Sequence, residues 1–217
     1  MTILELPKDA LLALTDSQLE QLIGRLAEAE VVAHGGSVAD VRFSGSITAP
    51  DGGVDIRVDV KKTPFQSGFI PRPNTVFQSK KHGMPVGAIT SEMITESVLS
   101  EVVSQQADLG GAYIIVSLAD DCSETFLKKR VKAMKAAVAS HPSQNAIHLD
   151  FYDRSKLHQW LRQHPSVMLW VRAILGQPLS GWKAYGRWSN VPNGASDELI
   201  VAPGVSVILP GLRHQKL

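Results

Sequence analysis

The stretch VDIRVDV, residues 54–60, constrains the fold more than any other part of the chain. Val54, Ile56, Val58 and Val60 alternate with Asp55, Arg57 and Asp59. A strict period of two is the pattern of a β-strand with one apolar and one polar face. The segment before it, ADVRFSGSI (39–47), reads as its hairpin partner, with TAPDGG (48–53) as the turn. A third strand, TVFQSKK (75–81), follows KKTPFQSGFIPRPN (61–74), whose prolines and glycine argue against regular structure there.

Helical signals frame these strands. Thr15 is placed to cap a helix running to about Glu30, with Gln18 reaching back from the third position in a capping box. Leu14 and Leu19 occupy the staple positions, and Leu19, Leu22, Ile23 and Leu26 form one apolar stripe before Gly35-Gly36. TSEMITESVLSEVVSQQADLGG (90–111) reads as one helix ending at Gly110-Gly111. AYIIVSL (112–118) is a buried strand by its apolar run, and SETFLKKRVKAMKAAVASHP (123–142) a helix. AIHLDFYD (146–153) is a further strand. Asp153 caps a short helix over 154–164, and Pro165 opens another over 166–176. The order predicts an α/β or α+β domain, a mixed central sheet flanked by helices, over residues 1–176. After Gly176 the texture becomes Gly-, Pro- and Ser-rich, with Trp182, Tyr185 and Trp188 among Lys183 and Arg187. Residues 177–217 read as an extension or linker toward a further domain, its aromatics best used for packing.

Composition narrows the function classes. With 44% apolar and 20% charged residues, the 217-residue chain has the make-up of an ordinary globular protein. The net charge of +1 means that any nucleic-acid surface must be a local patch. Cys122 is the single cysteine, which excludes a cysteine-built zinc site and fits a reducing cytoplasm. No apolar run is long enough for a membrane span, and the start lacks the basic residues of a signal peptide. Neither a GxxxxGK[ST] phosphate loop nor a GxSxG elbow is present, and the seven histidines show no metal-ligand spacing. His34, His82 and His148 read as structural or exposed, and His164 as a helix cap.

What remains is a chemical corner. Phosphodiester hydrolysis needs charge neutralised on phosphorus and a nucleophilic water near neutral pH, which a carboxylate-held magnesium supplies. A lysine beside it stabilises the developing charge. If strands two and three pair, about 5 Å apart, Asp55 meets Gln78 and Lys80, which share one strand face. The layout resembles the PD-(D/E)xK nucleases, and most closely the Mrr-like restriction endonucleases. The matching pieces are LEQLIGRLAEAE (19–30), DGGVDIRVDV (51–60) and FQSKK (77–81), in order, then GGAYIIVS (110–117) and DFYDRSKLHQWL (150–161). The resemblance covers about residues 15–175.

The resemblance implies a restriction-endonuclease-like fold and Mg²⁺- or Mn²⁺-dependent cleavage of double-stranded DNA. It implies Asp55 as the central metal ligand, Lys80 as the catalytic lysine, Glu20 on the first helix completing the metal shell, and the Ser79 carbonyl as a further ligand. Gln78 departs from the usual Glu or Asp, and a neutral amide oxygen holds magnesium more weakly than a carboxylate. By analogy, such a domain serves as the N-terminal effector of an antiviral defence protein, gated by oligomerisation of a sensor or STAND-type NTPase. Lys61, Lys62, Arg72, Lys81 and His82 flank the corner and are candidates for phosphate contacts. Other readings stand beside this one. Asp55 is also what a turn exit uses, Lys80 what a solvated strand uses, and Glu28 and Glu30 what a solvated helix end uses. Lys128, Lys129, Arg130, Lys132 and Lys135 read as a solvated helix face. A non-catalytic DNA-binding scaffold, or an unrelated α/β interaction module with Asp55 far from Lys80, are the alternative functions.

Overall fold

The computed structural model describes residues 5–43, 54–61, 65 and 67–179, and the backbone of 199–202 and 205–207. The first helix, α1 (Asp16–Ala33), begins where its capping box directs. Thr15 Oγ1 accepts from the Gln18 N–H, and Gln18 Oε1 accepts from the Thr15 N–H. Those bonds satisfy two donors at the chain's entry to the helix. Leu14 and Leu19 are fully buried beneath the turn. Gly24, in the middle of α1, has a packing reason: a Cβ there would fall inside the Phe43 ring, so glycine lets the helix lie against the sheet.

Strands β1 (Val41–Phe43), β2 (Ile56–Asp59) and β3 (Asn74–Lys80) form an antiparallel meander. The predicted first strand is seen over 41–43; Ala39 and Asp40 instead close a 3-10 turn capped by Ser37, and residues 44–47 lie outside the described residues. The segment predicted as one helix over 90–111 is broken. Helix α2 (Val86–Met93) gives way to a hairpin, β4 (Ile94–Thr95) and β5 (Val98–Leu99), before α3 (Glu101–Leu109). Ile94, Thr95 and Val98 are β-branched and favour the pleat. Glu96 and Ser97 turn the hairpin with φ of 51° and 67°, the positive values that a two-residue type I′ turn demands. Ser100 N–H donates to the Met93 carbonyl at 2.8 Å, closing the gap between the helices. Helix α3 then ends at Gly110 with φ 61°, as its sequence predicted.

Strand β6 (Ala112–Ser117) lies parallel to β3, and after α4 (Glu124–Ala137) strand β7 (His148–Tyr152) lies parallel to β6. The chain is therefore mixed α/β, with sheet order β1-β2-β3-β6-β7 and helices on both faces. On one face, Ile56, Val58, Phe77, Ile114 and Val116 pack against α1 and against α5 (Arg154–Gln163) and α6 (Pro165–Ile174). On the other, Val76, Tyr113, Ile115, Leu149 and Phe151 pack against α2, α3 and α4. Alternation along each strand divides the two sets. One expectation fails here. Val54 was predicted to share a face with Ile56, but it belongs to the α2–α4 side, because the chain leaves the ladder before Ile56.

Other local readings are corrected. Glu30 is not a solvated helix end. It is 2% exposed and accepts from Trp160 Nε1 at 3.1 Å, faces His164 Nε2 at 2.8 Å and accepts from Ser67 Oγ. His164 therefore ties α1 to the α5–α6 junction and caps nothing with its side chain. The described residues of the loop after β2 are irregular as predicted, yet Phe65, Phe69 and Ile70 are buried, with Phe69 stacked on Trp160 at 5.4 Å. Asp153 caps α5 as expected, accepting from the Lys156 N–H at 2.9 Å. Strands β8 (Leu199–Ala202) and β9 (Val205–Val207) pair antiparallel. Trp182, Lys183, Tyr185, Arg187 and Trp188 lie outside the described residues. Among the described residues no helix is long and apolar enough to cross a membrane.

Candidate active site

The corner sits where β2 separates from β3. Their last ladder pair is Ile56 with Phe77. At the next position the Asp55 side chain takes the place of a ladder acceptor. Its Oδ2 accepts from the Ser79 backbone N–H at 2.6 Å and from Ser79 Oγ at 2.8 Å. Among the described residues no ion pair reaches Asp55, and both of its hydrogen bonds use Oδ2, leaving Oδ1 for another partner. The aspartate just before β2 is thus clamped to the C-terminal end of β3, and its carboxylate is fixed by two donors.

The neighbouring backbone is set by alternation. Lys80 C=O accepts from the Leu118 N–H at 2.9 Å, so it points toward β6. Ser79 precedes it, and its N–H and C=O point the opposite way, toward β2 and the Asp55 carboxylate. The Ser79 carbonyl is therefore aimed at the side where the resemblance would use it.

Gln78 and Lys80 flank Ser79 and turn to the α2–α4 face, opposite Phe77. Gln78 is 6% exposed and its Oε1 is buried without a hydrogen-bond partner. Such an orphaned acceptor costs about 1–3 kcal/mol; among the described residues Gln106 Oε1 is likewise unpartnered. Lys80 is not solvated: its Nζ lies 2.8 Å from Glu92 Oε1, the two side chains 19% and 24% exposed. Glu92 comes from α2, and sequence reasoning missed it because residues 90–111 read as one uninterrupted helix. The one available signal was an acidic residue within the first helix after the Gln-x-Lys strand.

Tyr113 reports how close these carboxylates lie. Burial pushes its phenol well above the usual tyrosine range, and the charges of Glu92 and then Asp55 push it further. Asp55 and Glu92 thus bear on one ring of β6. Among the described residues no three acidic, histidine or cysteine side chains converge to hold a metal. A divalent cation here would rely on Asp55 with two neutral oxygens, Gln78 Oε1 and the Ser79 carbonyl. All three are hard oxygen donors of the kind magnesium and manganese take, and the orphaned Gln78 oxygen fits that use.

The remaining predicted residues fall in different places. Glu20 is half-buried on α1, which packs on the Phe77 face, away from Gln78 and Lys80. Lys61, Arg72 and His82 are exposed, Lys81 is half-buried, and Lys62 lies outside the described residues. On α4, Lys128, Lys129, Lys132 and Lys135 are exposed, but Arg130 turns inward to Asp120 and to the Met84 carbonyl. A Ser104–His141–Asp108 grouping elsewhere does not make a nucleophile. His141 Nδ1 accepts from the Ser143 N–H, so the proton lies on Nε2, the nitrogen facing both Ser104 and Asp108. No protein-family model, curated protein or solved structure matches the chain.

Proposed function

We propose that this chain is a metal-dependent endonuclease domain of the PD-(D/E)xK, Mrr-like kind, acting on double-stranded DNA. The observation that carries the reading is the corner itself. Asp55 is clamped to Ser79 across the β2–β3 split, beside the orphaned Gln78 oxygen and on the same strand as Lys80. The order of α1, an antiparallel meander, then a parallel strand after intervening helices supports a restriction-endonuclease-like fold.

Asp55, Gln78 Oε1 and the Ser79 carbonyl would hold magnesium or manganese. When bound, such an ion supplies positive charge at the phosphate and a water of lowered pKa. Asp55 is held in one orientation by its two Ser79 donors, so little reorganisation is needed to present its other oxygen. Lys80 places an ammonium on the same strand, suited to negative charge gathering on the phosphate oxygens. Glu92 holds that ammonium in place through the 2.8 Å contact. Glu20 contributes on this reading only by reaching round the sheet edge from α1, and Glu92 is the better-placed carboxylate. The products would carry a 5′-phosphate and a 3′-hydroxyl. The domain would work in the cytoplasm as an effector gated by oligomerisation through sensor or NTPase partners.

The test is conversion of supercoiled plasmid by the chain at high concentration with Mg²⁺, Mn²⁺ or EDTA. Nicking in either metal, none in EDTA and none by Lys80→Ala is the expected result. Cutting that survives both EDTA and Lys80→Ala would remove the reading. One observation favours a second reading, a scaffold that has lost catalysis: Gln78 is neutral and Lys80 is already neutralised by Glu92. A scaffold would bind DNA and show no metal-dependent change.

A further inference from the structure

On the β1–β2 ladder Arg42 lies directly opposite Arg57. Val41 packs on the α1 face with Ile56 and Val58, so both arginines project from the other face, the face of Gln78 and Lys80. Like charges set directly across a ladder destabilise it. Neither arginine, nor Lys61 beyond them, forms an ion pair among the described residues. They line a depression of about 150 Å³ with Ala39, Asp40 and Asp59, roughly five water volumes. Three cations face two carboxylates there, and Asp40 is already engaged, its Oδ2 accepting from the Ser37 N–H at 2.9 Å. Among the described residues the apolar cluster under α2–α4 includes no residue of β1 and none of β2's ladder residues, and Arg42 is exposed and Arg57 half-buried there.

We infer that Arg42, Arg57 and Lys61 form a phosphodiester-binding cradle that carries a nucleic-acid backbone toward the Asp55–Lys80 corner. Paired guanidiniums suit the bidentate geometry of a phosphate. A bound phosphate also removes the repulsion that the register otherwise imposes. Arg57 pairs with Val76, so Gln78 is its diagonal neighbour, about 7–8 Å away. That is the scale on which one strand passes from a phosphate to the next. The location of the cradle rests on the ladder alone, and the identity of the polymer rests on the proposed nuclease reading.

The test is fluorescence anisotropy of a short labelled DNA duplex in EDTA, titrated with the whole chain over a range of salt. Variants are Arg42→Gln/Arg57→Gln and the charge-keeping Arg42→Lys/Arg57→Lys, with Lys132→Gln on α4 as a surface control. Losing two phosphate contacts lowers the salt slope by about 1.8, which near 0.1 M salt is a loss of roughly 60-fold. The lysine pair should restore most of the slope, and the control should leave it unchanged. Melting of the glutamine pair should be unchanged or raised, because a repulsion is removed. Wild-type slope and affinity in the glutamine pair would overturn the cradle while leaving metal-dependent cleavage standing. Arginine-dependent binding in EDTA together with no cleavage of plasmid in Mg²⁺ or Mn²⁺ would sink the nuclease and keep the cradle. Competition by inorganic phosphate as effective, per phosphate, as by duplex would assign the site to a free oxyanion and overturn the backbone reading.

Discussion

Replacing Gln78 by Met should make the protein more stable and unable to hold a metal. Met has the same unbranched length and fills the same space without an oxygen. In the native chain Gln78 is 6% exposed and its Oε1 has no partner. Deleting that buried, unsatisfied acceptor is worth about 1–3 kcal/mol. For a protein of this size, each kcal/mol moves the melting temperature about 2–4 °C, so the variant should melt about 2–12 °C higher in EDTA. Magnesium should reverse the ranking. The native chain gains about 2.7 kcal/mol when the ion is at a hundred times its dissociation constant, and the variant, short of one ligand, gains far less. Thermal unfolding followed by circular dichroism, with and without Mg²⁺, reads both effects. A variant that melts lower than the native chain in EDTA would show that the amide oxygen is satisfied, and the argument for a cation there would fail.

Other expectations follow from particular contacts. Glu92→Gln removes the negative charge from the 2.8 Å contact with Lys80 Nζ and should lower cleavage at least tenfold while moving stability by less than about 1 kcal/mol; a variant of unchanged rate and pH profile would exclude a role for the Glu92 charge in holding the lysine. Burial drives the Glu30 carboxyl upward, but hydrogen bonds from His164, Ser67 and Trp160 outweigh it and hold the carboxyl below its ordinary value of 4.5. A depressed carboxyl stabilises above its unfolded pKa, so that contribution is full above about pH 4.5 and lost as the pH falls through the folded value. Glu30→Gln should cost about 3 kcal/mol at neutral pH and flatten the acid limb of the stability curve in urea unfolding. Glu96→Asn with Ser97→Gly should stabilise by about 1 kcal/mol, since both residues sit at positive φ where side chains are strained; a lower urea midpoint would contradict that turn. Gly24→Ala should destabilise by about 1–3 kcal/mol, because its Cβ collides with Phe43.

The sequence carried the sheet well where period and caps agreed. The alternation of 56–60, the apolar run of β6 and the capping box at Thr15 each depend on local physics, and each held. It failed where two short signals compete. In 90–111 the reading of one uninterrupted helix hid the β-branched break at 94–98 that separates α2 from α3. Long-range pairing was also illegible. Nothing local says that Glu30 is buried under His164 and Trp160, or that Val54 leaves the face of Ile56. At the corner, the spacing of Asp55, Gln78 and Lys80 was readable, but the clamp on Ser79 and the unpartnered Gln78 oxygen required three dimensions. The arginine pair was invisible in sequence because Arg42 and Arg57 meet only through the ladder register.

The claim on which the rest depends is that a divalent cation occupies the Asp55 corner. The most direct measurement is anomalous diffraction from crystals of the chain grown with Mn²⁺. The account predicts a peak within metal–ligand distance of Asp55 Oδ1, Gln78 Oε1 and the Ser79 carbonyl, absent in Asp55→Asn crystals. Saturating manganese with no peak at that corner, or a peak elsewhere that survives Asp55→Asn, would contradict it and leave the fold as a scaffold.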